Sequence, residues 1–402
     1  MDAEYRRQLR RRAPEEKDRA DTLSRRIGNY RQMVNVFRGK TFYTSTFFPD
    51  TGTLIRACED FSPLTSARWS NYALHLCNPD LTMSGAQCEA VRQEWQEKYS
   101  WDRNSAFSPV PETIDVAINS YCNFGCTYCY TNATTKGTHA SLDLIRAIFS
   151  GLDQAPYQIA LGGGSPTQHP EFIPLLQLIR DSGSIPNYTT EGQNLTEEIL
   201  SATNSLCGGV ALTYHASRGF AYFRELYLRL RHRLRIQLNV HLIADKDVAS
   251  HLDELTGAVS ELGPINIVLL AYYPDVGRSE LSRLMPKKVY PEQFPAAIQR
   301  AMGAGHQIAF SEGLIPYFLS RPEIGVDTRL LTPSEGRFSC YLDLQGRVSH
   351  SSFAPPSDSS PTLYQTRLQT LWDHLRSSQE PYGSACYDCA WARRCSVPNP
   401  HH

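Results

Sequence analysis

The chain has 402 residues, a formal net charge of −1, 41% hydrophobic and 20% charged residues, and 11 cysteines. That length accommodates two or three domains with buried cores, and the near-neutral charge gives no global drive toward nucleic acid. No apolar run reaches the roughly 18 residues of a membrane span, and Met1 to Arg7 lacks the apolar core of a signal peptide. Clustered cysteines without a secretion signal favour metal binding in a reducing cytoplasm over disulfides.

Residues 1–40 are polar and arginine-rich with a helical look, and Arg6, Arg7, Arg10, Arg11 and Arg12 form a basic cluster, read first as a solvated helix face. Residues 41–110 read as aromatic and irregular, broken by Pro49, Pro63, Pro79, Pro109 and Pro111, with a helix-like stretch at Gly85–Tyr99. Cys58, Cys77 and Cys88 are widely spaced there and read as buried thiols.

From residue 113 the pattern changes to alternating strands and helices. Strands are expected at Thr113–Asn119, Tyr157–Gly162, Asn187–Thr190, Gly209–His215, Arg235–Ile243, Ile265–Ala271 and His306–Phe310. Helices are expected at Ser141–Gln154, Glu171–Asp181, Leu195–Leu206, Gly219–His232, Asp247–Leu262 and Pro291–Ala304. Such alternation implies an α/β fold with a parallel sheet, here a partial (β/α)6 barrel with ligands at the C-terminal ends of its strands.

The first of these strands runs into Cys122-Asn-Phe-Gly-Cys126-Thr-Tyr-Cys129-Tyr130, a C-x3-C-x2-C loop. Three close thiolates can hold an iron–sulfur cubane and leave one iron open for a ligand. A zinc knuckle is the plainer alternative, but it takes four ligands, and no near cysteine or histidine completes the set. The loop resembles the signature of the radical S-adenosylmethionine (SAM) superfamily, with Tyr128 at its usual aromatic position. The resemblance implies SAM bound at the open iron of a [4Fe–4S] cluster. One electron, from a donor such as flavodoxin or ferredoxin, then yields a 5'-deoxyadenosyl radical. It makes Cys122, Cys126 and Cys129 both metal ligands and catalytic residues.

The second strand ends in Gly162-Gly163-Gly164-Ser165, where glycines let backbone approach a ligand. It resembles the superfamily's Gly-Gly-Glu motif, which contacts the methionine end of SAM, but Ser165 stands at the Glu position. The third strand ends in Thr190-Glu191-Gly192, similar to a Thr-Asn-Gly turn of relatives, so Thr190 and Glu191 are expected to face the SAM ribose or the substrate. Thr213 and Asn239, on the fourth and fifth strands, are the further cofactor candidates; the rival reading is ordinary polar packing. His215 and His241 read as structural histidines. Cys207 precedes the fourth strand, away from the ligand-binding rim, which argues against a hydrogen-donor role.

Cys340, Cys386, Cys389 and Cys395 include a C-x2-C-x5-C run similar to the SPASM and Twitch auxiliary-cluster domains. Four cysteines suit one second [4Fe–4S] cluster; a structural zinc is the alternative. The expected organisation is an N-terminal extension at 1–110 available to substrate or partner, a core at 111–332 and a small Fe–S domain at 333–402. The resemblance implies a radical SAM enzyme acting on a ribosomally made peptide or protein. The alternatives are a small-molecule substrate (sugar, amino acid or nucleotide) and a non-catalytic metal-binding scaffold. No membrane association or nucleic-acid partner is expected.

Overall fold

The computed structural model describes the strands between residues 21 and 69 by their backbone, and residues 108–378 apart from 109, 127–128, 259–261, 274–289, 327–334, 337 and 355, with side chains to 375. Arg6 to Arg12, the stretch Gly85–Tyr99, Tyr128, Cys386, Cys389 and Cys395 lie outside the described residues. Glu112–Val326 and Ser339–Leu375 form one compact unit. Another takes in Met1–Pro111, Asp327–Phe338 and Arg376–His402.

The helical expectation for residues 1–40 is corrected from residue 21 on; residues 1–20 lie outside the described residues. Asp21–Ile27 (β1), Tyr30–Phe37 (β2), Lys40–Phe48 (β3), Thr53–Glu59 (β4) and Arg68–Trp69 (β5) form an antiparallel sheet in that order, so 41–110 is not simply irregular either. The register sets Ile27 opposite Tyr30 and Phe37 opposite Lys40. Runs such as Thr-Phe-Tyr-Thr-Ser-Thr-Phe-Phe favour strands.

In the other unit the expected alternation is present. Thr113–Asn119 (β6), Gln158–Gly163 (β7), Ile185–Thr190 (β8), Gly209–Thr213 (β9), Gln237–Ala244 (β10), Asn266–Ala271 (β11) and Gln307–Phe310 (β12) are all parallel. Ser339–Leu342 (β13) adds to β6 in parallel and Val348–Ser349 (β14) follows antiparallel, giving the order β12-β11-β10-β9-β8-β7-β6-β13-β14. The sheet is not closed. Helices Leu142–Gly151 (α1), Phe172–Asp181 (α2), Glu197–Leu206 (α3), Phe220–Arg233 (α4), Val248–Gly257 (α5) and Phe294–Gly303 (α6) link successive strands. Ser141 and Thr196 cap α1 and α3 by accepting from Asp143 N and Ile199 N.

Strand side chains alternate between two faces. The register rows Val116–Leu161–Tyr188–Val210 and Leu212–Val240–Ile267 are buried, and Tyr188 packs on Phe172 of α2 and hydrogen-bonds Thr203 of α3. That face is therefore the helix-covered core. The opposite face carries Asp115, Ala160, Asn187, Thr189, Thr213, Asn239, His241 and Val268, none of them fully buried. At its rim Tyr273, after β11, stacks on Phe353, after β14, at 4.1 Å, and Phe353 meets Tyr130 at 4.9 Å.

Two glycines of the β7 rim make room for the neighbouring chain. A Cβ on Gly163 (φ 101°) would lie 2.2 Å from the Asn119 carbonyl oxygen, and one on Gly164 2.1 Å from that of Tyr121. A Cβ on Gly162 would meet nothing within 4 Å. Gly164→Ala is expected to destabilise the protein by about 1–3 kcal/mol, as overpacking against backbone does, whereas Gly162→Ala should leave the thermal midpoint unchanged. Parallel melting curves of the two variants check this.

Candidate cofactor-binding site

The loop after β6 returns to its own start. Cys122 N donates to Thr134 O (3.1 Å), Thr134 N to Ser120 O (3.0 Å), Ser120 N to Thr138 O (2.9 Å) and Ala140 N to Ile118 O (2.8 Å). Gly125, at φ 73°, supplies the left-handed turn between Phe124 and Cys126. Phe124, 4% exposed, anchors the loop on the β9–α4 turn. Its ring lies 4.6 Å from the His215 ring and 4.6 Å beneath the Arg218 guanidinium, which also donates to Phe124 O at 3.0 Å.

The three thiols stand half-buried on this frame with donors aimed at sulfur. Phe124 N lies 3.5 Å from Cys122 Sγ, Ala133 N 3.3 Å from Cys129 Sγ, and His215 Nδ1 3.9 Å from Cys126 Sγ. Thr131 Oγ1 donates to Gly163 O at 3.1 Å and sits 3.4 Å from Cys129 Sγ. Burial, then the charges of Cys129, Cys122 and Glu191, pushes the Cys126 thiol up to about 12, and burial likewise raises Cys122. As free thiols Cys122 and Cys126 hold their protons; metal binding would release them. Among the described residues no three His, Cys, Asp or Glu side chains converge on a single ion. A cubane held by one thiolate on each of three irons does not require that convergence, and N–H groups directed at sulfur suit it. The donor set fits the cluster.

Facing the cysteines is the β7–β8 rim. Asn119, 1% exposed, donates from Nδ2 to Ser165 O (2.7 Å), and its Oδ1 accepts from Gly164 N (2.9 Å). Ser165, fully buried, donates its hydroxyl to Glu191 Oε1 at 2.6 Å. Glu191 is 8% exposed; desolvation raises its carboxyl, against the lowering effect of Ser165. Of the three glycines, only Gly162 is open to an approaching ligand.

The other sequence candidates are placed differently. Thr190 shares the helix-covered row with Leu212, is 1% exposed, and accepts from Gly192 N at 3.0 Å, so Thr189 rather than Thr190 is on the open face. Thr213 is on that face at the C-terminal end of β9. Asn239 lies nearer the N-terminal end of β10, where it accepts from Gln237 Nε2, and His241 is the residue level with Thr213. Burial holds His241 and His215 down to about 4, the latter helped by Arg218, so both imidazoles are neutral. Cys207 caps the C-terminus of α3 at the far end of β9. Cys340 is 1% exposed beside Ile114 on the helix-covered face, and burial raises its thiol strongly. Sequence reasoning missed Asn119, Thr131 and the contact of His215 with Cys126; a buried Asn ending a strand was the one available signal for the first.

The family model of the Radical SAM superfamily matches residues 116–316, half of the chain. A GTP 3',8-cyclase of Pectobacterium atrosepticum is 28% identical over 129 residues, covering 28% of this chain and 39% of that protein. Among solved structures, Streptococcus suis SuiB bound to precursor peptide SuiA is similar with a TM-score of 0.56 at 14% identity, over 78% of this chain and 76% of that one. SuiB alone matches with a TM-score of 0.54 at 13% identity over 92% of both chains, and SuiB bound to SAM with 0.53 at 13% over 80% of both. At these identities the structural likeness establishes the fold. A thiol loop suited to a site-open cubane, on the rim of an unclosed parallel sheet and inside the matched region, leaves one assignment: the chain belongs to the radical SAM superfamily and is an enzyme of it.

Proposed function

We propose that this enzyme modifies a ribosomally made peptide or protein. The observation carrying the reading is the likeness to SuiB across 92% of both chains, one structure of which holds a precursor peptide. SAM at the open iron, reduced by one electron, supplies a 5'-deoxyadenosyl radical able to take hydrogen from an unactivated carbon. The donor of that electron is assigned to a flavodoxin or ferredoxin. Cys122, Cys126 and Cys129 hold the cluster; Gly162, Thr189 and Thr213 line the face where SAM and substrate meet. The antiparallel sheet of residues 21–69 ends in strands whose edges can pair with a peptide, which supports a recognition role for residues 1–110, with the core at 111–332.

We assign a second cluster to Cys340, Cys386, Cys389 and Cys395 in an auxiliary domain at 333–402. Its support is the cysteine spacing. Cys340 lies deeply buried on β13, so as a ligand it would have to be reached within the core. A second substrate reading, a nucleotide or other small molecule, draws on the likeness to the GTP 3',8-cyclase. Among the described residues no helix is long and apolar enough to cross a membrane.

Replacing Cys122, Cys126 and Cys129 together by Ala is expected to abolish 5'-deoxyadenosine formation under dithionite; retained formation removes the ligand assignment. Anaerobically reconstituted parent protein should carry about eight irons and the triple variant about four. A triple variant with no iron and one zinc would make the C-terminal site structural. Incubating the enzyme with SAM, reductant and a short peptide encoded beside it should change the peptide's mass. Turnover of a small metabolite with no effect on any such peptide would put the second substrate reading in its place.

A further inference from the structure

We propose that Glu191 supplies the counter-charge for the α-ammonium group of SAM, and that Ser165 is the positioning residue that holds it there. The inference rests on the superfamily's cofactor and is independent of the peptide reading.

Ser165 and Glu191 follow adjacent parallel strands, β7 and β8, and meet at the same rim. Ser165 is fixed on three sides: its N–H donates to Tyr121 O (3.0 Å), its carbonyl accepts from Asn119 Nδ2 (2.7 Å), and its hydroxyl donates to Glu191 Oε1 (2.6 Å). The carboxylate's other side-chain donor is the neutral amide of Gln168, 3.4 Å away at the same oxygen. Among the described residues no Lys, Arg or His pairs with Glu191. A nearly buried carboxylate met only by neutral donors is costly unless a cation joins it.

SAM brings an ammonium group to this place. The position that carries Glu in the Gly-Gly-Glu pattern is Ser165 here, and its hydroxyl bonds the carboxylate arriving from the next strand. Glu191, which stands at the Asn position of the Thr-Asn-Gly turn, carries its acid at the neighbouring strand end, within reach of the Ser165 hydroxyl.

The test is SAM affinity, measured by equilibrium dialysis on reconstituted enzyme without substrate, with iron content determined on each sample. Glu191→Gln keeps the shape and the acceptor for Ser165 but removes the charge. It should weaken SAM binding by about 10- to 100-fold, the range for a lost charge-assisted hydrogen bond, at unchanged iron content. Binding of 5'-methylthioadenosine, which lacks the ammonium group, should stay within twofold. Ser165→Ala should weaken SAM in the same direction by a smaller factor and also spare 5'-methylthioadenosine; it serves as the deciding variant if Glu191→Gln fails to take up iron. SAM affinity within twofold of the parent, or an equal loss for both ligands, overturns the proposal.

Discussion

The side-chain amide of Asn119 joins the two loops on which the site is built. At the end of β6 the pairing with β7 shifts register between Ala117 and Asn119, and the regular ladder gives out. The amide adds to the bonding there, donating to Ser165 O and accepting from Gly164 N, which also donates to the Asn119 carbonyl oxygen with N and O 2.7 Å apart. Leaving one such buried group unsatisfied costs about 1–3 kcal/mol. The positions of the cysteine loop, the glycine rim and the Ser165–Glu191 pair relative to one another all follow from this junction, together with Ser165 N donating to Tyr121 O.

A second anchor acts on the other side of the cysteines. Phe124 is clamped between His215 and Arg218, so the loop leans on the β9–α4 turn as well as on β7. These contacts are made by protein groups alone. The path of the cysteine loop is thus held by protein contacts on both of its sides.

The alternation of strands and helices was legible because each element repeats its own local chemistry: β-branched runs in Thr113–Asn119, caps at Ser141 and Thr196, apolar stripes between. Ends were less so; the strand expected over Gly209–His215 stops at Thr213. The arginines of Asp21–Ile27 and Tyr30–Phe37 obscured a strand pattern, since charge is tolerated on either kind of exposed surface. Site residues depended on facts that no local window holds. Whether Thr189 or Thr190 faces the ligand is a matter of strand parity. The steric purpose of Gly163 and Gly164 lies in the backbone of Asn119 and Tyr121, more than 40 residues away. The departure at Ser165 was visible, but its compensation by Glu191 needed the register of β7 against β8.

Tyr273, after β11 and so one strand in from the β12 edge, meets Phe353, after the β14 edge strand, through stacked rings rather than through a hydrogen-bonded ladder. A stacked pair of this kind contributes about 0.5–1.5 kcal/mol beyond the area it buries, and each ring turns about two side-chain bonds. The seam is thus made of side chains, Tyr273, Phe353 and the Tyr130 ring that meets Phe353 at 4.9 Å, so a substitution there changes the rim without touching any strand pairing.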